Sequence, residues 1–181
     1  MKNKNIGLFC AASESIDGVY VDAARDFGRW MGQGGRTLVY GGAAKGLMET
    51  TAAAMKASGG HVVGVVPEIL VTRGFVSTLL DEQVTVADLS ARKNTILGRS
   101  DILVALPGGV GTLDEVFHVM AAATIGYHDK KVVFYNVGGF WQGLLKLLDD
   151  YSRKGFLRGE PARYYAVADN LDELINIIDE K

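Results

Sequence analysis

The chain has 181 residues, a formal net charge of −2, 48% hydrophobic residues and a single cysteine. That length and apolar content suit one well-buried domain spanning residues 1–181 and leave too little chain for two. The near-neutral charge, without runs of Lys or Arg, argues against nucleic acid as a partner and against a membrane-surface helix, and no stretch reaches the roughly 20 apolar residues of a membrane span. Cys10 alone cannot form an internal disulfide and fits a reducing, cytoplasmic compartment, and the apolar run 6–12 is too short for a cleaved signal. Any anionic ligand must therefore be captured locally.

In chain order, apolar runs predict strands at residues 6–10, 37–40, 61–66, 81–86, 101–106 and 131–135. Helical patterns fall at 19–31, 47–58, 89–98, 112–124, 140–154 and 171–179, with 158–164 an irregular connection. This alternation predicts an α/β, Rossmann-like doubly wound fold, a mainly parallel sheet with helices on both faces. Ligands bind such sheets beyond the carboxyl ends of the strands, where segments 11–15, 41–46, 67–70 and 107–112 are expected.

The segment Leu106-Pro107-Gly108-Gly109-Val110-Gly111-Thr112-Leu113-Asp114-Glu115 is the most informative. A glycine-rich turn leads from a strand into a helix, so backbone N–H groups and the positive end of the helix dipole favour an anion there. The simpler account is an S/T-x-x-E capping box, in which Thr112 and Glu115 only satisfy the helix start. A second glycine segment, Gly41-Gly42-Ala43-Ala44-Lys45-Gly46, also joins a strand to a helix and doubles the suggestion of a nucleotide. Tight helix–strand packing explains its glycines equally well. Neither segment has the dinucleotide G-x-G-x-x-G or the Walker pattern, although Glu68 follows the next strand roughly where a ribose-binding acid would lie. A third constellation places Leu89, Arg92, Lys93 and Ile96 on one side of a helix starting near Asp88, which puts two cations on the face expected to bury. Snorkelling of their aliphatic stems is the structural account and anion binding the functional one.

Together, residues 39–48, Gly59-Gly60-His61 through Pro67, Arg92-Lys93 and the Pro107-Gly108-Gly109-Val110-Gly111-Thr112-x-x-Glu115 element resemble the Lonely Guy family of nucleotide phosphoribohydrolases, many of which carry a "lysine decarboxylase" label. The resemblance extends through Gly126-Tyr127-His128, Gly138-Gly139-Phe140-Trp141 and Lys154-Gly155-Phe156. It implies hydrolysis of the N-glycosidic bond of a purine riboside 5′-monophosphate, of cytokinin or adenosine type, to free base and ribose 5-phosphate. The family's essential Arg and Glu align with Arg92 and Glu115. Positive charge builds on the ribose in this reaction, so Glu115 would stabilise it or activate water, while the forked Arg92 would clamp phosphate or ribose. Gly108, Gly109, Gly111 and Thr112, helped by Lys93, would hold the 5′-phosphate. Ser13, Gly41 and Gly42 would complete the nucleotide cradle, and Glu68 would serve ribose or the departing base. The chemistry calls for no metal and no cofactor; His118, three residues after Glu115, resembles half a carboxylate metal site without the other half.

The chain departs from the family pattern at Ser90-Ala91, where a His-Glu pair is usual, at Glu49 in place of Gly, and at Cys10-Ala11-Ala12-Ser13 in place of Cys-Gly-Ser-Ser. A carboxylate at position 49, in the first turn of a helix near the site, either opposes a phosphate or points to solvent. Two other functional classes compete. One is a non-catalytic nucleotide or molybdenum-cofactor carrier sharing the glycine turn. The other is a literal decarboxylase, which would need a pyridoxal phosphate lysine that nothing in the sequence identifies. The resemblance also implies a homodimer whose helices help enclose each other's sites. Which purine base is accepted depends on pocket shape and is not legible here.

Overall fold

The apolar runs line up side by side in the computed structural model, which describes residues 4–180. In chain order the elements are β1 (Asn5–Phe9), α1 (Gly18–Gln33), β2 (Thr37–Tyr40), α2 (Gly46–Ala57), β3 (His61–Pro67), α3 (Glu68–Thr72), β4 (Glu82–Val86), α4 (Leu89–Arg99), β5 (Ile102–Ala105), α5 (Val110–Thr124), β6 (Val132–Tyr135), α6 (Gln142–Arg153), β7 (Tyr165–Ala168) and α7 (Leu171–Asp179). All strand pairs are parallel, in the order β4-β3-β2-β1-β5-β6-β7. Strands such as β5 and β6 are buried at every residue, as parallel strands covered on both faces must be, which is why they read as unbroken apolar runs rather than alternating ones.

Side chains alternate between two cores. Ile6, Leu8, Leu38 and Tyr40 face α1, α2 and α7, meeting Phe27, Met31, Leu47, Met55, Leu174 and Ile178. Phe9, Val39, Leu103 and Phe134 face the opposite way and pack with Ile96, Val116, Met120 and Leu148 of α4, α5 and α6. Each fully buried Phe or Leu contributes about 1.5–3 kcal/mol of apolar burial, so the paired cores hold both helix layers firmly on the sheet. Strand order runs outward in opposite directions from β1 and β5, which are neighbours. The loops after these two strands therefore diverge to opposite faces and open a crevice between them.

The fold differs from the sequence reading in a few elements. Helix α5 begins at Val110, ahead of the predicted Thr112, with Gly109 as N-cap and no side chain capping it. Thr112 and Glu115 are consequently inside the helix and do not form a capping box. A 3₁₀ turn at Val137–Gly139, with Gly138 and Gly139 at positive φ, delays α6. The edge strand β7 and the five-residue α3 were not predicted; β7 is only partly buried and half alanine, a residue depleted in strands, and α3 spans little more than one turn.

Candidate active site

The turn after β5 delivers α5 to the crevice. Leu106 N–H still donates to Phe9 C=O at 3.0 Å, and Ala11 N–H donates to Pro107 C=O at 3.1 Å, so the ladder between β1 and β5 continues into their loops. Ala11 C=O in turn accepts from Leu47 N–H, at 3.0 Å, at the start of α2. One residue thus ties the loop after β1 to both glycine-rich turns. Between them lies a cavity of about 350 Å³ lined by residues 10–13, by Ala43, Met48 and Leu70, by Arg92, and by Gly109, Gly111, Thr112 and Glu115. Its wall includes the first turn of α5, whose N–H groups have no intrahelical partners. Gly108 is required by close packing: a Cβ there would lie 2.1 Å from Thr112 Oγ1, so the turn can hug the helix only without a side chain.

Arg92 reaches the cavity from the second core. Asp88 caps α4, accepting from Ala91 N–H at 2.8 Å, and the helix then carries Arg92 and Lys93 into the interface with α5. The Arg92 guanidinium passes so close to Gly41 that a Cβ on Gly41 would sit 1.6 Å from Nη2. From there Nη2 lies 3.7 Å from Glu115 Oε1, with the two side chains only 11% and 8% exposed. The Nε of Arg92 is buried without a hydrogen-bond partner among the described residues. A buried N–H of this kind calls for an acceptor, and a ligand oxygen in the cavity can supply it. Burial pushes the Glu115 carboxyl up to about 7; Arg92 and Lys93 oppose that rise and Asp114 adds to it. Cys10, also lining the cavity, has its thiol pushed well up by burial and then by the Glu115 charge, which leaves it a neutral wall rather than a nucleophile.

The structure brings together Ser13, Arg92, Gly109, Gly111, Thr112 and Glu115, from segments far apart in sequence. Other predicted residues stand back. Gly41 accommodates Arg92, and Gly42, at φ 68°, packs against Gly64 and Val66. Glu68 is exposed at the start of α3. Lys93 turns away from the cavity and donates to both Asp114 oxygens at 2.8 Å. His118 pairs with Asn94 at 2.9 Å on the same α4–α5 seam. Glu49 does not point to solvent: it is half-buried, and its Oε2 is enclosed without a hydrogen-bond partner among the described residues. Ala43, Met48 and Leu70 had no signal as site residues, because apolar side chains beyond strand ends look like ordinary core.

A helix N-terminus and a buried Arg–Glu pair meet at the switch point of a parallel sheet, the arrangement of an α/β protein in which a small anionic ligand can lie beside a carboxylate. A family profile described as "Possible lysine decarboxylase" matches residues 48–178. The cytokinin riboside 5′-monophosphate phosphoribohydrolase LOG5 of Arabidopsis thaliana is 36% identical over 172 residues, covering 95% of this chain and 75% of that protein. Its paralogue LOG3 is 35% identical over 179 residues, covering 99% and 83%. The chain belongs to the Lonely Guy family. Among solved structures, the molybdenum cofactor carrier protein of Chlamydomonas reinhardtii superposes with a TM-score of 0.75 at 23% identity, covering 99% of this chain and 98% of that one. The molybdenum cofactor binding protein of Rippkaea orientalis follows at 0.72 and 21%, covering 99% and 98%. At these identities the likeness is one of fold.

Proposed function

We infer that this protein hydrolyses the N-glycosidic bond of purine riboside 5′-monophosphates, of cytokinin or adenosine type, releasing free base and ribose 5-phosphate. The observation that carries this reading is the buried Arg92–Glu115 pair, 3.7 Å apart, opening on the same cavity as the first turn of α5. The phosphate lies against the Gly109 and Gly111 N–H groups and Thr112, with Gly108 keeping the turn close, where free donors and the helix dipole meet its charge. Arg92 donates to ribose or phosphate oxygens through its unpartnered Nε. Glu115, ionised, faces C1′ and takes a proton from the attacking water as its oxygen bonds to C1′; the C1′–N bond breaks with its electron pair on the base, which picks up a proton from solvent, and Glu115 gives its own proton back to solvent. The same carboxylate offsets the positive charge that develops on the ribose. Ser13 closes the cavity on the side of β1. Lys93 and Glu68 contribute at most from outside it.

A second copy of the chain is the partner we propose. Val110 and Phe117 of α5, and Ile125 just past its end, are 84%, 40% and 60% exposed. Ile125 also lines a largely apolar cleft of about 500 Å³ between α4, α5 and the turn before β6. An apolar stripe of this kind marks a protein–protein surface, and Val110 carries it to the mouth of the cavity. No helix among the described residues is long and apolar enough to cross a membrane. The lone, buried Cys10 supports a cytoplasmic setting.

The test is incubation of purified protein with AMP, with N6-isopentenyladenosine monophosphate and with the matching nucleosides, followed by chromatography. Release of base and ribose 5-phosphate from the monophosphates alone supports both the chemistry and the phosphate-holding turn. Nucleotide binding without any release points instead to a carrier, which has no use for a buried Arg–Glu pair.

A further inference from the structure

Two consecutive residues of α4 meet two consecutive residues of α5. Arg92 faces Glu115 across the cavity, and Lys93 faces Asp114 behind it. The rear pair is the tighter: Lys93 Nζ is 2.8 Å from both Asp114 oxygens, and its side chain is 14% exposed against 53% for Asp114. Neither lines the cavity, whereas Arg92 and Glu115 both do. The next residue along, Asn94, reaches His118 one turn further down α5. The seam between these helices is therefore keyed by polar contacts in register, and the strongest adjoins the Arg92–Glu115 pair.

We propose that Lys93 and Asp114 are positioning residues: their ion pair locks α4 to α5 one residue behind the reacting side chains and sets both the spacing and the charge balance of Arg92 and Glu115. The proposal rests on the reading that Glu115 is the carboxylate that acts on the nucleotide. Four neighbouring groups are coupled to that carboxylate: Arg92 and the Cys10 thiol, which line the cavity with it, and Lys93 of α4 and Asp114 of its own helix, which pair behind it. Arg92 touches it directly. Lys93 and Asp114 act at longer range with opposite sign, Lys93 favouring the ionised form and Asp114 the protonated one. A mainly buried lysine confined between two carboxylate oxygens is poorly placed to meet a phosphate, so the pair accounts for Lys93 better than phosphate binding does.

The experiment measures kcat and KM against pH for Lys93→Met, Asp114→Asn, the double variant and Lys93→Arg, using whichever of AMP or N6-isopentenyladenosine monophosphate the wild type turns over. We expect kcat to fall about tenfold in Lys93→Met from loosened geometry, with KM little changed and partial recovery in Lys93→Arg. The acid limb of the kcat profile moves to higher pH in Lys93→Met and to lower pH in Asp114→Asn, and returns towards wild type in the double variant. A merely structural pair would move both limbs the same way or neither, and that result overturns the proposal. So does a rise in KM in Lys93→Met with kcat unchanged, which makes Lys93 a phosphate ligand. Glu115→Gln is run alongside: full activity there removes the underlying reading, whereas loss there with unmoved limbs in the other variants removes only the positioning role.

Discussion

The two glycine-rich turns look alike in sequence, each carrying the chain from a buried strand into a helix, yet they do different work. The turn at 107–112 lays the first turn of α5 along the cavity wall with no side chain capping it. The turn at 41–46 is occupied with structure. Gly41 makes room for the Arg92 guanidinium, Gly42 packs on Gly64, Ala44 N–H donates to Phe75 C=O, and the start of α2 is stoppered by the Ala11 carbonyl. One turn leaves backbone donors along the cavity and the other makes room for the arginine that reaches into it. Glycine density reports that backbone approaches something closely; only the fold says whether the neighbour is a ligand or another part of the chain.

The difference can be broken at its chemical end first. Glu115→Gln keeps the shape of α5 and removes the charge, so kcat should fall at least about 10²-fold while nucleotide affinity stays largely intact. Steady-state kinetics with calorimetric titration of AMP separates the two; unchanged kcat would mean that the binding turn works without its carboxylate. Gly41→Ala probes the other turn. Its Cβ would meet the end of a flexible side chain rather than backbone, so the protein should fold normally while Arg92 is pushed off Glu115. A misplaced clamp of this kind lowers kcat/KM by about 10²-fold. Wild-type turnover in a well-folded Gly41→Ala protein would show that the second turn does not govern the arginine.

A smaller effect comes from pH. Burial raises the Glu115 carboxyl from its ordinary 4.5 to about 7, and the proposed reaction uses the ionised form. Activity should therefore increase through about pH 7 and, well below it, fall about tenfold per pH unit. Following kcat at saturating nucleotide tests this without interference from the free substrate's phosphate, which itself titrates near about 6. An acid limb near the ordinary carboxylate value would mean that Glu115 is more hydrated in the working enzyme than its burial indicates.

Much of this arrangement is legible in the sequence because it follows from local rules. Unbroken apolar runs identify buried parallel strands, Asp88 marks the start of α4, and the sheet's handedness brings segments 11–15, 41–46, 67–70 and 107–112 to one edge, where each supplies a residue to the cavity. What escaped depends on tertiary contact. Lys93 looks like an anion ligand until α5 offers Asp114 on the adjoining helix. Glu49 looks like a solvent-facing residue of a helix's first turn until the packing around α2 encloses one of its oxygens. Met48 and Leu70 carry no chemical signal, and β7 is a partly buried edge strand in which two of the four residues are alanine, a residue depleted in strands.

The finest distinction between a ligand-facing glycine and a structural one comes from a matched pair. Gly111 and Gly143 are each the second residue of a helix, α5 and α6, both are exposed, and a Cβ on either would meet nothing within 4 Å. Helix propensity alone then predicts the same gain for Gly111→Ala and Gly143→Ala, about 0.5–1 kcal/mol, seen as a rise in Tm. Only Gly111 lines the cavity. If phosphate comes down onto the backbone of this turn, the added methyl occupies space that only the ligand uses, so Gly111→Ala should gain stability and raise KM for the monophosphate, while Gly143→Ala gains stability alone. Equal KM values in the two variants would move the phosphate off this turn and leave Arg92 as its main holder.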